Sequence, residues 1–419
     1  MKKSAKFITM AMLAATLLIP AMGVSANGES TEKANGNEKF RVLVDSANQQ
    51  DLKNAKSQYG VQWDFKGEGF TTNMNAKQFE ALQKNKNLKI EKVPEYSIEE
   101  TSSEPLAKYS TMAASQATPW GIKAIYNNSS LSKTSGGAGI NIAVLDTGVN
   151  VNHPDLSGNI EQCKDFTRSA SITNGTCTDR QGHGTHVAGS ALANGSGGLY
   201  GVAPQSDLWA YKVLGDDGSG SSDDIAAAIR HVADQAAALK TKVVINMSLG
   251  SSAESSLITN AVNYAYNKGV LIIAAAGNSG PAQGSIGFPG ALPNAVAVAA
   301  LENVIQNGTY RVADFSSRGY SSTDGDYAIG KYDVEISAPG AAVYSAWYTG
   351  GYATISGTSM ASPHAAGLAA KIWATTPSSS NVQVRANLQN RAKAYDILSG
   401  SGAGVGDDYA SGFGFSRVQ

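Results

Sequence analysis

The sequence has 419 residues, 42% of them hydrophobic, and its 33 lysines and arginines nearly balance its 34 aspartates and glutamates. This composition is typical of a globular protein with a sizeable core, and the length predicts two or three domains. The formal net charge of -1 and the lack of a long basic run exclude a nucleic-acid-binding protein.

The first 26 residues have the pattern of a secretory signal peptide. Lys2, Lys3 and Lys6 precede an apolar run over residues 7–19, and residues 24–26 (VSA) supply the small side chains of a cleavage site. The alternative is a membrane anchor, but the run is shorter than the roughly 20 apolar residues that a membrane-spanning helix needs. The sequence therefore predicts a secreted, extracellular protein without a membrane anchor.

The next part of the chain is predicted to contain a small folded unit between two loose segments. Residues 27–38 are polar, as in a flexible connector, and residues 100–114 are polar and rich in small side chains, as in a linker that is cut during processing. Residues 39–99 combine strand-like and helix-like stretches, which predicts a compact α+β unit. The strand-like stretches are KFRVLVD, VQWDFKG and LKIEKV, and the helix-like ones are QQDLKNAKSQ and NAKQFEALQKN.

From about residue 115 onward the chain has a continuous α/β pattern. Five runs are almost entirely apolar, as in parallel strands that are buried on both faces. These runs are residues 140–146, 206–214, 242–249, 269–277 and 295–301.

Helix-like stretches lie between several of these strands. Residues 223–240 begin with Asp223 and Asp224, which suit a helix N-terminus, and residues 254–269 end on Gly269, which suits a C-terminus. The predicted fold class is α/β, with a doubly wound, mostly parallel sheet and helices on both faces. In such folds, ligands bind outside the carboxyl ends of the strands.

Three motifs follow predicted strands or begin predicted helices. Asp146 ends the strand INIAVLD, His183 lies in GHGTHVAG, and Ser359 lies in GTSMASPH, where a glycine turn enters a small-residue helix. Pro363 in that helix indicates a first turn, where proline is tolerated. Each motif alone is weak, because Asp-Thr-Gly turns are common and a single histidine can be a packed residue.

Together, the three residues supply a nucleophile, a base and a group that orients the base. A serine hydroxyl needs an imidazole to take its proton, and the imidazole needs a carboxylate to fix its tautomer. The chain order Asp, His, Ser is one of the known orders of this triad. No G-x-S-x-G motif occurs, which excludes the α/β-hydrolase fold.

The segments LDTG, HGTHVAG and GTSMASPH together resemble the three signature segments of subtilisin-like serine proteases, the subtilase family. The resemblance extends from about residue 115 to the C-terminus. It implies a secreted bacterial serine endopeptidase that cleaves proteins through an acyl-enzyme, with Asp146, His183 and Ser359 as the triad. It also implies that Asn278 and the Ser359 N–H stabilise the oxyanion. The alternative for Asn278 is a turn residue that tolerates positive φ.

The resemblance further implies three substrate-binding segments. Two form the walls of the pocket for the residue before the scissile bond, and the third pairs with extended substrate through main-chain hydrogen bonds. None carries a charge, so we expect a pocket for large apolar side chains and broad specificity. The walls are Ser248, Leu249, Gly250, Ala275, Ala276 and Gly277, the floor is Gly287, and the edge is Gly218, Ser219 and Gly220.

Two or more structural calcium ions are implied as well, because loops supply the oxygen ligands that calcium prefers. The tighter site would use Gln116, Asp155, Asn194 and carbonyls of the glycine-rich loop 193–199. The weaker site would use the carbonyls of Gly290, Leu292 and Ala295 with the carboxylates of Asp333 and Glu335.

Zinc is a separate possibility, because His183 and His186 have the spacing of a zinc pair. No H-E-x-x-H motif is present, and the family resemblance gives His183 another role. Catalytic zinc is therefore not expected.

Cys163 and Cys177 are the two cysteines of the chain. In a secreted protein, an even number of cysteines at short spacing favours a disulfide, and two free thiols are the alternative. Closing a loop of about 15 residues stabilises the fold by about 3 kcal/mol in the chain-entropy model. Neither cysteine is near the catalytic segments in sequence, so we expect the disulfide to serve stability.

Residues 27–110, with the folded unit 39–99, resemble the propeptide of this family. The resemblance implies an intramolecular chaperone and inhibitor whose C-terminal tail occupies the substrate cleft until it is cut. We expect self-cleavage within residues 105–115, with Tyr109 in the specificity pocket, and a catalytic domain at residues 111–419. The expected partners are protein substrates and the chain's own propeptide, and nothing in the sequence indicates an oligomer, so a monomer is expected.

Two other functions use parts of the same pattern. An inactive binding module of this fold would have no reason to keep Asp146, His183, Asn278 and Ser359 together. An esterase uses the same acyl-enzyme chemistry, and relative rates on casein and on a short-chain ester separate it from a protease.

The composition of the expected catalytic domain also indicates a habitat. Of the 45 glycines and 12 prolines in the chain, 39 and 9 lie in residues 111–419. Many glycines and few prolines raise the entropy of the unfolded chain and loosen loops. Our hypothesis is a heat-labile enzyme that is adapted to cool conditions.

Overall fold

A computed structural model describes residues 38–98, 118–168 and 171–418 of the chain. They form a small N-terminal α+β unit followed by a larger α/β unit. Several predictions fall outside the described residues, namely the signal peptide at 1–26, the connector at 27–38 apart from Glu38, the linker at 100–114, the cleavage site at 105–115 and the calcium ligand Gln116.

The N-terminal unit is a four-stranded antiparallel sheet with two helices. Polar residues begin both helices: the Asn48 side chain accepts from the Gln50 and Asp51 N–H groups, and Asn75 and Gln78 form a capping box. In chain order the elements are β1 (Lys39–Asp45), α1 (Gln49–Tyr59), β2 (Trp63–Asp64), β3 (Phe70–Asn75), α2 (Ala76–Gln83), β4 (Lys89–Lys92) and β5 (Glu95–Ile98).

The predicted α+β character of this unit is confirmed, but two strands were not predicted. β3 lies between β2 and β1 in the sheet order β2-β3-β1-β4. Its inward side chains include Phe70 and Met74, which pack with Val42 and Val44 of β1. The sequence FTTNMN hides this pattern, because Thr and Asn are interleaved with the apolar residues. β5 does not join this sheet at all.

The larger unit alternates strands and helices. Its helices are α3 (Trp120–Ile125), α4 (His183–Leu192), α5 (Ser222–Leu239), α6 (Ser256–Asn267), α7 (Thr358–Thr375) and α8 (Asn381–Lys393). Its strands are β6 (Ile140–Asp146), β7 (Ile160–Asp165), β8 (Thr173–Asn174), β9 (Asp207–Lys212), β10 (Ser219–Ser221), β11 (Lys242–Met247), β12 (Leu249–Gly250), β13 (Leu271–Ala275), β14 (Val296–Gln306), β15 (Thr309–Val312), β16 (Ile336–Pro339), β17 (Val343–Ala346) and β18 (Tyr352–Ile355).

A nine-stranded, mostly parallel sheet is the centre of this unit. Its order is β15-β14-β13-β11-β6-β9-β7-β8, with β16 also paired to β14, and β15 and β8 run antiparallel to their neighbours. After β6 the chain moves to one side through β7 and β9, and β11, β13 and β14 lie on the other side. The crevice at the carboxyl ends of β6 and β11 is therefore the switch point where such folds bind ligands.

Helices cover both faces of the sheet, as predicted. Side chains alternate along β6: Ile142 and Val144 belong to the core under α4 and α7, whereas Ala143 and Leu145 belong to the core under α5 and α6. This alternation explains why the strand is apolar throughout. Among the described residues, no helix has the length and apolar character needed to cross a bilayer.

The predicted strands are found, with shifted ends. β9 ends at Lys212, because the N–H groups of Val213 and Leu214 both turn to the Asp146 carbonyl. The predicted strand 242–249 is divided at Ser248 into β11 and β12, which belong to different sheets. These breaks lie beside the switch point, where the chain leaves the sheet.

Cys163 and Cys177 form a disulfide. The Val149 N–H donates to the Cys177 carbonyl at 2.8 Å, so the bridged loop lies beside the turn that follows Asp146. Cys177 also lies only six residues before His183, so the expectation that neither cysteine is near the catalytic segments in sequence is wrong for Cys177.

Candidate active site

Asp146 and His183 are joined at the carboxyl end of the central sheet. Asp146 is the last residue of β6, and His183 is the first residue of α4. The His183 Nδ1 lies 2.8 Å from Oδ1 and 3.0 Å from Oδ2 of Asp146, and both side chains are completely buried. The Thr147 N–H also donates to Asp146 Oδ1 at 2.7 Å. The pair can therefore hold a proton at Nδ1 and orient the ring.

Glycines make this close approach possible. Gly182 has a φ of 116°, and a Cβ there would overlap the ring of Trp347. A Cβ on Gly184 would overlap the Gly148 carbonyl and crowd Asp146. The repeated glycines of GHGTHVAG are thus needed to bring the start of α4 against the turn after β6.

Ser359 is the second residue of α7, a helix that packs against α4. Its hydroxyl donates to the Ser248 carbonyl at 3.1 Å. The expected first-turn position of Pro363 is wrong, because α7 begins at Thr358 and the proline lies in its second turn. Proline cannot bond the carbonyl four residues earlier, and this carbonyl, that of Ser359, instead accepts from the Ser248 hydroxyl at 2.7 Å.

Asn278 follows β13 and faces the start of α7. Its Oδ1 accepts from the Thr358 N–H at 2.9 Å and from the Thr358 hydroxyl at 3.0 Å. These two bonds fix the amide plane, and the Nδ2 group therefore points away from Thr358. Sequence reasoning did not identify Thr358 as the residue that orients Asn278, although it lies inside the GTSMASPH motif.

The tail of the N-terminal unit is bound to the predicted substrate segments. β5 lies between β10 and β12 in an antiparallel sheet of three strands. Ser97 is in register with Ser219 on one side and with Gly250 on the other, and the Ile98 N–H donates to the Gly218 carbonyl at 3.0 Å. The edge and wall segments thus bind an extended peptide through their main chains, as β-augmentation requires.

The remaining pocket segments lie together behind β12. The Gly287 N–H donates to the Ala276 carbonyl at 2.9 Å, and the Ser317 N–H donates to the Gly277 carbonyl at 2.8 Å. A Cβ on Gly277 would lie 2.9 Å from the Ser317 hydroxyl oxygen. Ser317 therefore backs this wall, a neighbour that sequence reasoning missed because it lies 40 residues away in the chain.

The two aspartates at the start of α5 bind the N-terminal unit. Arg41 forms ion pairs with Asp223 and Asp224, and the Trp63 indole and Thr71 hydroxyl each donate to this carboxylate pair at 2.6 Å. Burial and, after it, the charge of Asp223 raise the pKa of the Asp224 carboxyl to about 7. Both residues were predicted only as favourable charges at a helix N-terminus.

The first calcium region contains two of the expected ligands. The Asn194 N–H donates to the Asp155 carbonyl at 2.9 Å, and Asp155 Oδ1 accepts from the Gly197 and Leu199 N–H groups. Asp155 Oδ2 accepts from the Tyr352 hydroxyl at 2.7 Å. A carboxylate, an amide and loop carbonyls are the donor types that suit calcium, so these residues fit the expected ion.

The second calcium region does not fit the expectation. Both oxygens of Glu335 accept hydrogen bonds from Arg385, whose guanidinium also donates to the Ala295 carbonyl at 3.2 Å. The guanidinium therefore takes the place of a metal ion between two of the expected ligands. Asp333 is engaged locally by the Thr323 hydroxyl and the Gly330 N–H. Gly290 and Leu292 lie in the turn before β14, where the Leu292 carbonyl accepts from the Ala295 N–H.

The histidine pair does not form a zinc site. His186 Nε2 lies 2.9 Å from the Val343 carbonyl, and burial lowers the pKa of this imidazole to about 3. Within residues 38–98, 118–168 and 171–418, no cluster of three His, Cys, Asp or Glu side chains could hold a metal ion.

Comparison with known proteins gives a consistent result. Residues 137–414 match the family described as the subtilase family. The chain is 76% identical to a subtilisin of Bacillus sp. strain TA39 over the full length of both chains, and 40% identical to an alkaline protease of Alkalihalobacillus alcalophilus over 71% of this chain and 70% of that protein. It is also similar to two solved structures, each over 73% of this chain and all of the other. They are the S41 psychrophilic protease, at 79% identity and a TM-score of 0.73, and sphericase, at 72% and 0.72.

Proposed function

The chain belongs to the subtilase family and is a subtilisin-type serine endopeptidase, and from this premise we propose that Asp146, His183 and Ser359 are its catalytic triad. The observation that carries this assignment is the buried pair of contacts between His183 Nδ1 and the Asp146 carboxylate. It supports a tautomer in which Nε2 is the basic atom.

In the proposed reaction, the Ser359 Oγ attacks the carbonyl carbon of the scissile peptide bond while His183 Nε2 takes the hydroxyl proton. The resulting imidazolium then gives this proton to the leaving amine, and the C–N bond breaks to leave an acyl-enzyme. A water molecule attacks the ester with His183 again as base, and Ser359 regains its proton as the acid product leaves. Asp146 stabilises the imidazolium in both halves.

Asn278 and the Ser359 N–H are the proposed donors to the oxyanion of the tetrahedral intermediates. The engagement of Asn278 Oδ1 by Thr358 supports this role, because it holds the amide group at the start of α7, beside Ser359, without further reorganisation. Preorganised donors stabilise the transition state most, since no energy is needed to orient them during the reaction.

We propose broad specificity with a preference for a large apolar residue before the scissile bond. The pocket segments at Ser248–Gly250, 275–277 and Gly287 contain no charged side chain, and two of the segments are held by main-chain hydrogen bonds. A neutral pocket discriminates weakly among apolar side chains, because one methylene changes binding by only about 1–3 kcal/mol.

The N-terminal unit is proposed to be the intramolecular chaperone and inhibitor of the enzyme, as the N-terminal part of an autoprocessed, secreted precursor. The pairing of β5 with β10 and β12 supports inhibition, because this strand occupies the segments that a substrate would use. The contact of Arg41 with Asp223 and Asp224 supports a docking role. The protein is proposed to act extracellularly as a monomer on protein and peptide substrates.

Docking of this unit is expected to depend on pH through Asp224. Its raised pKa, about 7, belongs to the docked state, and an exposed aspartate has a pKa of about 3.9. At pH values between these two pKa values, docking is therefore accompanied by the uptake of a proton at Asp224. The docked state is most stable below about pH 4, loses stability as the pH rises toward 7, and is independent of this group above that.

Replacement of Arg41 with alanine is expected to loosen the docked unit, because two buried carboxylates then lose their cation. In a Ser359→Ala background, the backbone amides of β1 and β5 should exchange hydrogen at least tenfold faster in Arg41→Ala. In Arg41→Lys they should exchange at an intermediate rate. Lys56→Ala is the matched control, since Lys56 forms an exposed ion pair with Asp64 inside the same unit. Equal exchange in the Arg41 and Lys56 variants would rule out the docking role.

Calcium is proposed as a structural ion held by Gln116, Asp155, Asn194 and carbonyls of the loop 193–199. The convergence of Asp155 and Asn194 supports this site. When bound, the ion would cross-link the loop to the turn after β6, and it takes no part in the proposed proton transfers.

We also propose that the enzyme is heat-labile. The Gly-rich, Pro-poor composition and the 79% identity to a protease described as psychrophilic support this. The measurement is calorimetry with calcium present, and a Tm above about 70 °C would contradict it, since mesophilic domains melt at about 45–65 °C.

A fluorophosphonate probe tests the triad directly. The purified, processed enzyme should react once per chain, peptide mapping should find the adduct on Ser359, and labelling should abolish casein hydrolysis. Turnover of a short-chain ester without hydrolysis of casein would contradict the proposed action on protein substrates. An adduct on any other serine would overturn the assignment.

A further inference from the structure

We infer that Asp179 is a positioning residue that holds Asp146 and His183 in their reactive geometry, an inference that rests on the proposed triad. Asp179 is 3% exposed, and no ion pair in the described part of the chain includes it. A buried carboxylate without a cation is costly unless hydrogen bonds satisfy it. Five such bonds converge on Asp179.

The bonds reach both elements that carry the catalytic pair. Oδ1 accepts from the Thr147 hydroxyl at 3.0 Å and from the N–H groups of Gln181 and Gly182 at 3.0 and 2.8 Å. Oδ2 accepts from the N–H and the hydroxyl of Thr185 at 3.0 and 2.6 Å. Thr147 follows Asp146 directly, and Gly182 and Thr185 lie on either side of His183.

A second hydrogen bond closes this arrangement into a ring. The Thr147 hydroxyl donates to Asp179 and accepts from the Gly184 N–H at 3.0 Å, while the Thr147 N–H donates to Asp146. The turn after β6 and the first turn of α4 are therefore joined twice, once through Asp179 and once through Thr147. A shift of either element would break several of these bonds together.

Asp179 also caps α4 in place of the usual residue. A helix begins with N–H groups that lack partners, and the side chain just before the helix normally accepts from them. That position is Gly182, which has no side chain and whose Cβ would overlap Trp347. The carboxylate of Asp179, three residues before Gly182 in the chain, accepts from the Thr185 N–H instead. It also brings a negative charge to the positive end of the helix.

The expected consequence for catalysis follows from geometry and charge. A displacement of about 1 Å of a catalytic group can cost on the order of 10²-fold in rate. Asp179 is also a second buried negative charge near the start of α4, where His183 becomes an imidazolium during the reaction. Removal of the Asp179 carboxylate should therefore lower kcat, because the catalytic groups shift. It should also favour the neutral form of the His183 imidazole, because a nearby negative charge is lost.

The test compares Asp179→Asn with a matched variant, Asp165→Asn. Asp165 is 2% exposed, accepts from the N–H and hydroxyl of Thr167 and forms an ion pair with Arg168. It lies on β7, separated from Asp146 by β9, and none of these bonds reaches the turn after β6 or the start of α4. In full-length chains allowed to process, Asp179→Asn should lower kcat by about 10- to 100-fold with KM changed less than threefold. The acid limb of its pH profile should move to lower pH by roughly half a unit. Asp165→Asn should keep kcat within twofold.

Thr185→Val provides a second variant that keeps the carboxylate. It removes the hydroxyl that donates to Asp179 at 2.6 Å and accepts from the Asn150 N–H at 3.0 Å, but it keeps the Thr185 N–H bond to Asp179. It should therefore lower kcat less than Asp179→Asn and leave the acid limb in place. A lower Tm with unchanged kcat and pH profile for Asp179→Asn would show that Asp179 only stabilises the fold, and the inference would fail. An inactive wild type, or one that the fluorophosphonate probe does not label at Ser359, would instead contradict the proposed triad itself.

Discussion

A Ser359→Ala precursor is expected to stay at full length and to show no turnover of casein above about one millionth of the wild-type rate. The hydroxyl is the only group lost, and in the proposed triad Asp146 and His183 act on its proton, so neither can replace it. Removal of the nucleophile from subtilisin lowers kcat by about this factor.

Intact-mass analysis during incubation with calcium measures this outcome. Wild type should lose its N-terminal part near residue 110, while the variant should not. Ser362→Ala is the matched control, since Ser362 is a buried serine of the same helix whose hydroxyl donates to Asn246 at 2.7 Å. If the Ser359 variant is cut at the same rate as wild type, a different protease carries out the processing.

The fold and the catalytic motifs could be predicted because their signals are local in the sequence. An apolar run such as residues 140–146 is a strand that both cores bury, and its end is the place where Asp146 stands. The glycines around His183 also carry a direct meaning, since each lies where a Cβ would collide. The apolar run can be read from neighbours within a few residues, whereas the atoms with which these Cβ atoms would collide belong to Trp347 and Gly148, far along the chain.

The contacts between distant segments could not be predicted in the same way. β5 has four residues, too few for their polar and apolar alternation to predict a strand, and it becomes a strand because β10 and β12 offer it main-chain partners. Arg385 lies 50 residues after Glu335, and only the packing of α8 beside β16 brings its charge into the expected calcium position. The family resemblance implies that Glu335 is a calcium ligand, whereas in this chain Glu335 forms an ion pair with Arg385.

Asp179 shows the same limit within a single motif. It lies four residues before His183, which is close enough to be noticed, but an aspartate in a loop is usually a solvated turn residue. Its importance appears only when Thr147 and Thr185 are seen to share it. Asp179 caps α4 from outside the usual capping position, because Gly182 occupies that position and has no side chain.

The Asp146→Asn variant is expected to lower kcat by about 10⁴-fold with little change in KM. The Thr147 N–H donates to Oδ1, so in the variant the amide oxygen should remain at that position. The amide nitrogen then stands in place of Oδ2, 3.0 Å from His183 Nδ1, and donates to it. This contact selects the tautomer with the proton on Nε2, which cannot accept the Ser359 proton.

The rate of precursor self-cleavage and peptide hydrolysis by the purified variant both measure this effect. Asp207→Asn is the control, because Asp207 is an exposed residue at the amino end of β9, the opposite end of the same sheet. It should stay within twofold of wild type, since a carboxylate there is far from the switch point. A decrease of less than tenfold for Asp146→Asn would show that His183 does not depend on this carboxylate for its tautomer. An increase in KM with unchanged kcat would assign Asp146 to substrate binding. The complete burial of the pair argues instead for an effect on kcat.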